Sequence, residues 1–299
     1  MIWSLIAKDV AKAFIVLLIA TASIYLIARI FPGDPITVLY GEQQPSEEVR
    51  RAIESRLGLD KPLYMQVLIH WKRVFTGDWG ESIFFAEPVT HVVFRSLLNS
   101  LKLSILATVL TTFVCIALAY LSMARGIALP PAIISTLSSS MPASVWGITI
   151  MAVLAIAKKS IDFGGIELPL ATLIVAGTGV FYKILQSLLE RAYSEPFIGT
   201  YIAMGMSKNR IFLKALRYVL PVYLTTVFYR AGLIVAGAMA TEAIFAYPGM
   251  GLLLLQAFSS RDYPVLIGWA TTVSIALVAL NMVSDILHIY MDPRLRGSS

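Results

Sequence analysis

LLNSLKLSILATVLTTFVCIALAYLS, residues 97–122, decides what kind of protein this is. Its single charge, Lys102, lies near one end, where a long side chain can carry its ammonium out to a membrane interface. A helix rises about 1.5 Å per residue, so about 20 apolar residues cross the hydrocarbon of a bilayer. Backbone groups in lipid have no water to bond, so such a run must be helical. Five further stretches have the same character, at roughly 12–31, 132–157, 166–190, 222–246 and 264–290. The run after Lys8 and Lys12 is too long for a signal-peptide core and lacks a small-residue cleavage site, which makes it a retained first span. The expectation is an all-α membrane protein with six transmembrane helices. Short alternating segments of the kind that build a membrane barrel do not occur.

Composition agrees. The chain has 299 residues, 58% hydrophobic and 14% charged, with a mean hydropathy of +0.77. A soluble domain carries about 25% charged residues to cover its surface. The net charge of +6 would raise nucleic acid as a partner in a soluble protein. Here the preference of basic residues for cytoplasmic loops explains it better. With both termini cytoplasmic, the inner loops hold Lys8, Lys12, Arg125, Arg191, Lys208, Arg210, Lys214, Arg217, Arg294 and Arg296, against Lys158, Lys159 and Arg261 in the short outer loops. Cys115, the one cysteine, falls inside a span and reads as a small packed residue. Ser138, Ser139 and Ser140 form a polar run inside span three.

The spans divide the chain into a cytoplasmic N-terminus with first span (1–31), an extracytoplasmic segment (32–92), a five-span region (93–291) and a cytoplasmic tail (292–299). In the outer segment Ser46 can cap a helix whose Val49, Ile53 and Leu57 form one stripe, stopped by Gly58. A second stripe runs Tyr64, Leu68, Trp71, Phe75, and Gly77, Asp78 and Gly80 give a turn. Two short amphipathic helices on the outer face follow, as a lid over the span ends, a docking surface for an outside partner, or both.

The loop 191–221, RAYSEPFIGTYIAMGMSKNRIFLKALRYVLP, is the most informative. Pro196 can start a helix through Ile198, Ile202 and Ala203, and Gly205 can end it with a left-handed turn. Ser207 can cap a second helix with Ile211, Phe212, Ala215, Leu216 and Val219 on one face and Lys208, Lys214 and Arg217 largely off it. Pro221 marks the entry to span five. Physics alone leaves two readings level: a rigid element that plugs into a soluble partner, or a loop resting on anionic headgroups.

The loop resembles the "EAA" loop of ABC transporter permeases, in their dipeptide, oligopeptide and nickel import group, through Thr200, Ala203, Gly205, Ser207, Arg210, Lys214, Leu220 and Pro221. The likeness spans nearly the whole chain. FPGDP at 31–35, RLGLDKPLYMQ at 56–66 and GDWGESI at 77–83 resemble that group's N-terminal signature, and MPASVWG at 141–147 its span-three motif. TEAIFAYPGMG at 241–251, RDYPVLIG at 261–268 and DPRLR at 292–296 resemble its C-terminal signature and tail. Two departures are the missing acidic residue of the general loop pattern, with Gly199 near its place, and a slightly short stretch from Gly205 to Pro221.

The resemblance implies a type I importer permease in a prokaryotic inner membrane. Its partners would be a second, similar permease, two cytoplasmic ATP-binding subunits and an external solute-binding protein. Thr200, Ala203, Gly205, Ser207, Lys208 and Arg210 would make up the ATPase-coupling loop. The chain would hold no cofactor, since ATP and magnesium would sit on the ATPases; accordingly no GxxxxGK[ST] phosphate loop occurs. Charges inside spans are functional candidates. Arg230 and Glu242 in span five are therefore candidate pathway or gate residues, with structural bonds as the competing reading for each. His70, His91 and His288 have no metal-ligand spacing, and no catalytic constellation is visible. The main competing function is an ion-gradient-driven secondary transporter, which broken helices and midplane ionisable groups would favour. A membrane-embedded enzyme would need a polar catalytic cluster.

Overall fold

Every regular element in the described residues of the computed structural model is a helix, as lipid solvent demands. The structure describes residues 2–30, 46–51, 61–158 and 163–291. In chain order the helices are α1 (Ile2–Ile30), α2 (Leu63–Thr76), α3 (Val89–Met123), α4 (Leu129–Ser139), α5 (Ala143–Ile156), α6 (Glu167–Tyr193), α7 (Pro196–Ala203), α8 (Lys208–Ile244), α9 (Met250–Ser259) and α10 (Tyr263–Met291). Among the described residues, α3, α6 and the first part of α8 are each long and apolar enough to cross a membrane. The pair α4 and α5 makes a fourth candidate if taken together.

The chain divides into two compact units. The first comprises Met1–Ser96 and Leu253–Ser299. Within it α1 packs along α10, joining the two ends of the sequence, and α2 leans on α1 through a stacked Phe14–Phe75 pair with centroids 6.1 Å apart. Ser46 stands where a cap is expected, its hydroxyl 3.5 Å from the Val49 N–H; Ile53, Leu57 and Gly58 lie outside the described residues. Gly77, with φ 74°, closes α2 in the left-handed conformation the sequence calls for. In α2 it is Gln66 and His70 that are buried, whereas Tyr64, Leu68 and Phe75 are exposed. Tyr64 and Leu68 of the apolar stripe are thus left uncovered, while Phe75 meets α1 through Phe14.

The second unit comprises Leu97–Leu252. Its core is apolar and continuous: Leu103 and Cys115 of α3, Phe181, Tyr182 and Leu185 of α6, Ile198 of α7, and Phe212, Ala215 and Tyr223 of α8. Span three, expected as one helix over 132–157, is instead two helices bent by 107°. Pro142 is the cause. It brings no N–H to an intrahelical bond and pushes Met141 off the helical conformation. With ψ 156°, it starts α5 afresh, and its carbonyl accepts the Trp146 N–H at 3.2 Å.

The serine run seals this break. Ser138 reaches the Val175–Gly179 rung of α6, its hydroxyl accepting the Gly179 N–H at 2.9 Å and donating to the Val175 carbonyl. The Trp146 indole donates to the Ser138 carbonyl at 3.2 Å. Such contact needs two backbones very close together, as small residues allow in membrane bundles. A Cβ on Gly179 would lie 2.5 Å from the Ser139 nitrogen and 2.6 Å from the Ser135 carbonyl oxygen.

The second coupling-loop helix and span five form a single helix, another departure from the sequence reading. α8 runs through Pro221. Proline removes the bond to the carbonyl four residues earlier and crowds that carbonyl with its ring, yet the buried Val219 and Tyr223 on either side hold the helix in place.

Packing makes Gly179 and His70 sensitive positions. Gly179→Leu must displace backbone, and overpacking of this kind costs about 1–3 kcal/mol. Its thermal unfolding midpoint in detergent should fall well below that of Gly199→Ala, whose added methyl meets nothing within 4 Å. His70 is the second case. Burial, aided by the nearby Arg73 charge, lowers its pKa from 6.5 to about 4. The open segment therefore binds a proton that the packed one refuses, and stability drops as pH falls from about 6.5 towards 4. Amide exchange across 63–76 should speed up over that window, and His70→Gln should flatten the dependence.

Candidate functional site

Residues 194–221 form one tightly built element at the loop end of the second unit. Pro196 occupies the first turn of α7, after an extended Glu195. Ile198 is fully buried and pins α7 to the core, while Thr200 and Ala203 are exposed. The turn follows at once. Gly205 takes φ 74°, donating its N–H to the Ile202 carbonyl at 3.0 Å, and Met206 donates to Tyr201 at 3.1 Å. A Cβ at Gly205 would meet nothing within 4 Å, so the turn needs glycine for its dihedral angle and not for space.

Ser207 stands at the N-cap of α8 with extended backbone, and its carbonyl accepts the Ile211 N–H at 3.0 Å. Its hydroxyl makes no capping bond, contrary to the sequence reading. The expected faces are both present. Ile211, Phe212, Ala215 and Val219 are buried, while Lys208, Arg210, Lys214 and Arg217 are exposed.

Aromatic contacts stiffen the element. Phe197 packs on Tyr218 with centroids 5.0 Å apart, and the Lys214 ammonium lies 5.9 Å from the Tyr201 ring centre. Tyr120, at the end of α3, meets Phe212 edge-on at 5.4 Å. Its hydroxyl donates to Asn209 Oδ1 at 3.2 Å and accepts from Arg125 Nε at 3.1 Å. Two large side chains at the tip have no such cover: Ile202 is 60% exposed and Met204 70%.

At the other end of α8, Glu242 is fully buried. It accepts the Gly251 N–H at 2.7 Å on Oε2, and the neighbouring Met250 N–H goes to the Ser100 hydroxyl at 2.8 Å. A carboxylate and a serine thus cap the start of α9, where unpaired N–H groups and the helix dipole favour an acceptor. Gly249 and Gly251 make room: a Cβ on the first would lie 2.3 Å from the Glu242 carboxyl carbon, and on the second 1.9 Å from the Met239 carbonyl oxygen. The glycines of YPGMG are therefore spacers around a buried carboxylate. Arg230 falls within α8, but its side chain lies outside the described residues.

The first unit holds a second buried carboxylate. Asp262 Oδ2 accepts from the Ser82 hydroxyl at 2.5 Å and the Phe84 N–H at 3.0 Å, and Oδ1 from the Val265 N–H at 3.3 Å. Nearby, a Cβ on Gly268 would lie 3.3 Å from the Trp79 ring. GDWGESI and RDYPVLIG, far apart in sequence, thus close on each other. Neither Ser82, Ser100 nor Asp262 stands out in the sequence as a partner, because the bonds join residues about 150 to 180 positions apart. Among the described residues, no cluster of three or more His, Cys, Asp or Glu could hold a metal.

Glu242→Ala should strand the buried Gly251 N–H and lower stability by about 1–3 kcal/mol. Glu242→Gln, whose amide oxygen can accept the same bond, should retain most of it. Thermal unfolding of the two variants in detergent gives the comparison.

Comparison with known proteins gives two family-model matches, covering most of the chain. Residues 132–297 match the binding-protein-dependent transport system inner membrane component. Residues 1–88 match the N-terminal part of the membrane component of the same systems. The di/tripeptide transport system permease protein of Pseudomonas aeruginosa is 28% identical, over 91% of this chain and 92% of its own length. A protein of Brucella melitensis bearing the name of a peptide transport system permease is 30% identical, over 99% of both chains. The glutathione transport system permease protein of Salmonella choleraesuis is 26% identical, over 94% of each.

Proposed function

This chain belongs to the family of binding-protein-dependent transport system inner membrane components, as a non-catalytic permease of an ABC importer, and we propose that residues 191–221 are the lever by which ATPases drive it. The cargo is a peptide or a related small solute, which the names of the relatives favour. The chain forms half of the pathway beside a second, similar permease, above two ATP-binding subunits that hold ATP and magnesium. A solute-binding protein delivers cargo on the far side.

Six spans fit this reading. α1 and α10, of 29 residues each, exceed the about 20 needed to cross. They join α3, the α4–α5 pair, α6 and α8. The N-terminal part (1–31), the extracytoplasmic segment (32–92), the five-span region (93–291) and the tail (292–299) follow, with both termini cytoplasmic. The exposed stripe of α2 then lies against the outer membrane surface or the binding protein.

The observation that carries the coupling role is the tip of α7. Ile202 and Met204 stand uncovered beside Thr200, Ala203, Gly205 and Ser207, with the cations Lys208 and Arg210 next to them. An apolar knob with a basic rim suits a groove on a soluble subunit. The element behind it is anchored by Ile198 and continuous with α8, so a push on the tip moves the helix. Arg230, about 13 Å beyond Pro221 along α8, is a candidate pathway residue. Glu242 acts at the outer gate by tying α8 to α9.

Gly205→Ile puts a β-branched residue at φ 74°, which costs about 1–2 kcal/mol and reshapes the turn. In proteoliposomes holding the whole importer, ATP hydrolysis should persist while uptake per ATP collapses. Wild-type coupling in the variant, or a purified importer in which no ATPase contacts Met204, would refute the lever.

A further inference from the structure

We propose that Lys183 lines the translocation pathway and binds the carboxylate of the passing solute. The inference rests on the importer reading above and adds the chemical group the pathway recognises.

Lys183 lies in α6, about 4.5 Å past the helix midpoint at Val180. A lysine near a span's middle is costly unless it meets water or a partner. Its partner among the described residues is the Ser139 hydroxyl, 2.8 Å from Nζ. That acceptor is neutral, and no described carboxylate lies in ion-pair contact with the ammonium, which has two further donors to offer. The side of α6 that carries it is polar onward, with exposed Ser187 and Glu190 and a Gln186 Nε2 that donates to Glu190 Oε1 at 2.8 Å. The exposed side of α3 is different. Beyond Lys102, which sits near the helix start, Ile105, Val109 and Phe113 follow one another there in a single apolar stripe, as lipid contact requires.

An independent feature marks the same place. The break between α4 and α5 lies beside Lys183, with Ser139, Ser140 and Met141 exposed. Irregular backbone at membrane depth survives where it is buried in protein or lines a water-filled cavity. This backbone is uncovered in its own chain and adjoins that cation. The pair together describe an aqueous wall with a fixed positive charge. The solute group that such a wall selects is a carboxylate, as at the C-terminus of a peptide.

The test uses the assembled importer in proteoliposomes with Cys115→Ala as background. Lys183→Cys and Phe113→Cys are each exposed to a water-soluble cationic methanethiosulfonate. Faster labelling at 183, by about tenfold or more, is expected; equally slow labelling at both would overturn the proposal, since it means a lysine that snorkels to lipid phosphate or lies in a sealed interface. Uptake is then compared for dialanine and its C-terminal amide. Lys183→Met should lower dialanine uptake about tenfold, the scale of one charge-assisted bond, with Lys183→Arg near wild type and uptake of the amide unchanged by either substitution. Equal effects of Lys183→Met on both solutes, or none on dialanine, would refute carboxylate binding. Wild-type vesicles without ATP-driven dialanine uptake would count against the peptide cargo proposed above instead, while the labelling rates still decide where Lys183 lies.

Discussion

A backbone placed in hydrocarbon must bond to itself, and much of this architecture follows from that constraint. It makes long helices obligatory, and it makes any interruption conspicuous. The one between α4 and α5 survives because neighbouring atoms take over: Ser138 enters a rung of α6, Trp146 reaches the Ser138 carbonyl, and Gly179 stands aside to let them meet. Small residues are what permit the approach, since lipid tails offer no hydrophobic drive to press helices together. The serines are thus structural at one edge and, through Ser139, polar partners at the other.

The same economy governs the two ends of α8. At one end a glycine turn and an aromatic cluster fix α7 against the helix start. At the other, Glu242 and Ser100 supply acceptors that the first turn of α9 lacks. Among the described residues, neither end is held by a surface ion pair, which would contribute little. The first is held by a dihedral preference and ring packing, the second by buried backbone N–H groups whose loss of partner is expensive.

Much of this is legible in the amino-acid sequence. Apolar run length points to helices, and the stop at Gly205 and the stripe from Ile211 to Val219 follow from dihedral preference and a 3.6-residue period. The family resemblance through seven motifs is supported by the family-model matches. What the sequence hides has physical causes. Run length cannot distinguish a straight helix over 132–157 from two at 107°, because both halves are apolar and Pro142 can kink or break. Pro221 carries the opposite lesson: proline reads as a boundary, yet packing keeps α8 whole. The helix Met250–Ser259 is short and apolar and merges with its surroundings in a hydropathy reading. Bonds such as Ser82 to Asp262 and Ser100 to Met250 leave no local trace. Lys183, a charge inside the run 166–190, falls under the same rule that singles out Arg230 and Glu242, and the sequence reading misses it.

The continuity of α8 has a geometric corollary. Its 37 residues make a rod of about 55 Å that starts beside the Gly205 turn and ends at the Glu242 cap. Each residue of a helix advances the azimuth by about 100°. Adding or deleting one residue along the rod ahead of Glu242 would therefore spin the two ends out of register, turning Glu242 and the α9 start it caps away from Ser100 of α3 while leaving the turn untouched. The length of this rod is in effect a phase setting, and chains that keep both ends must keep the count between them.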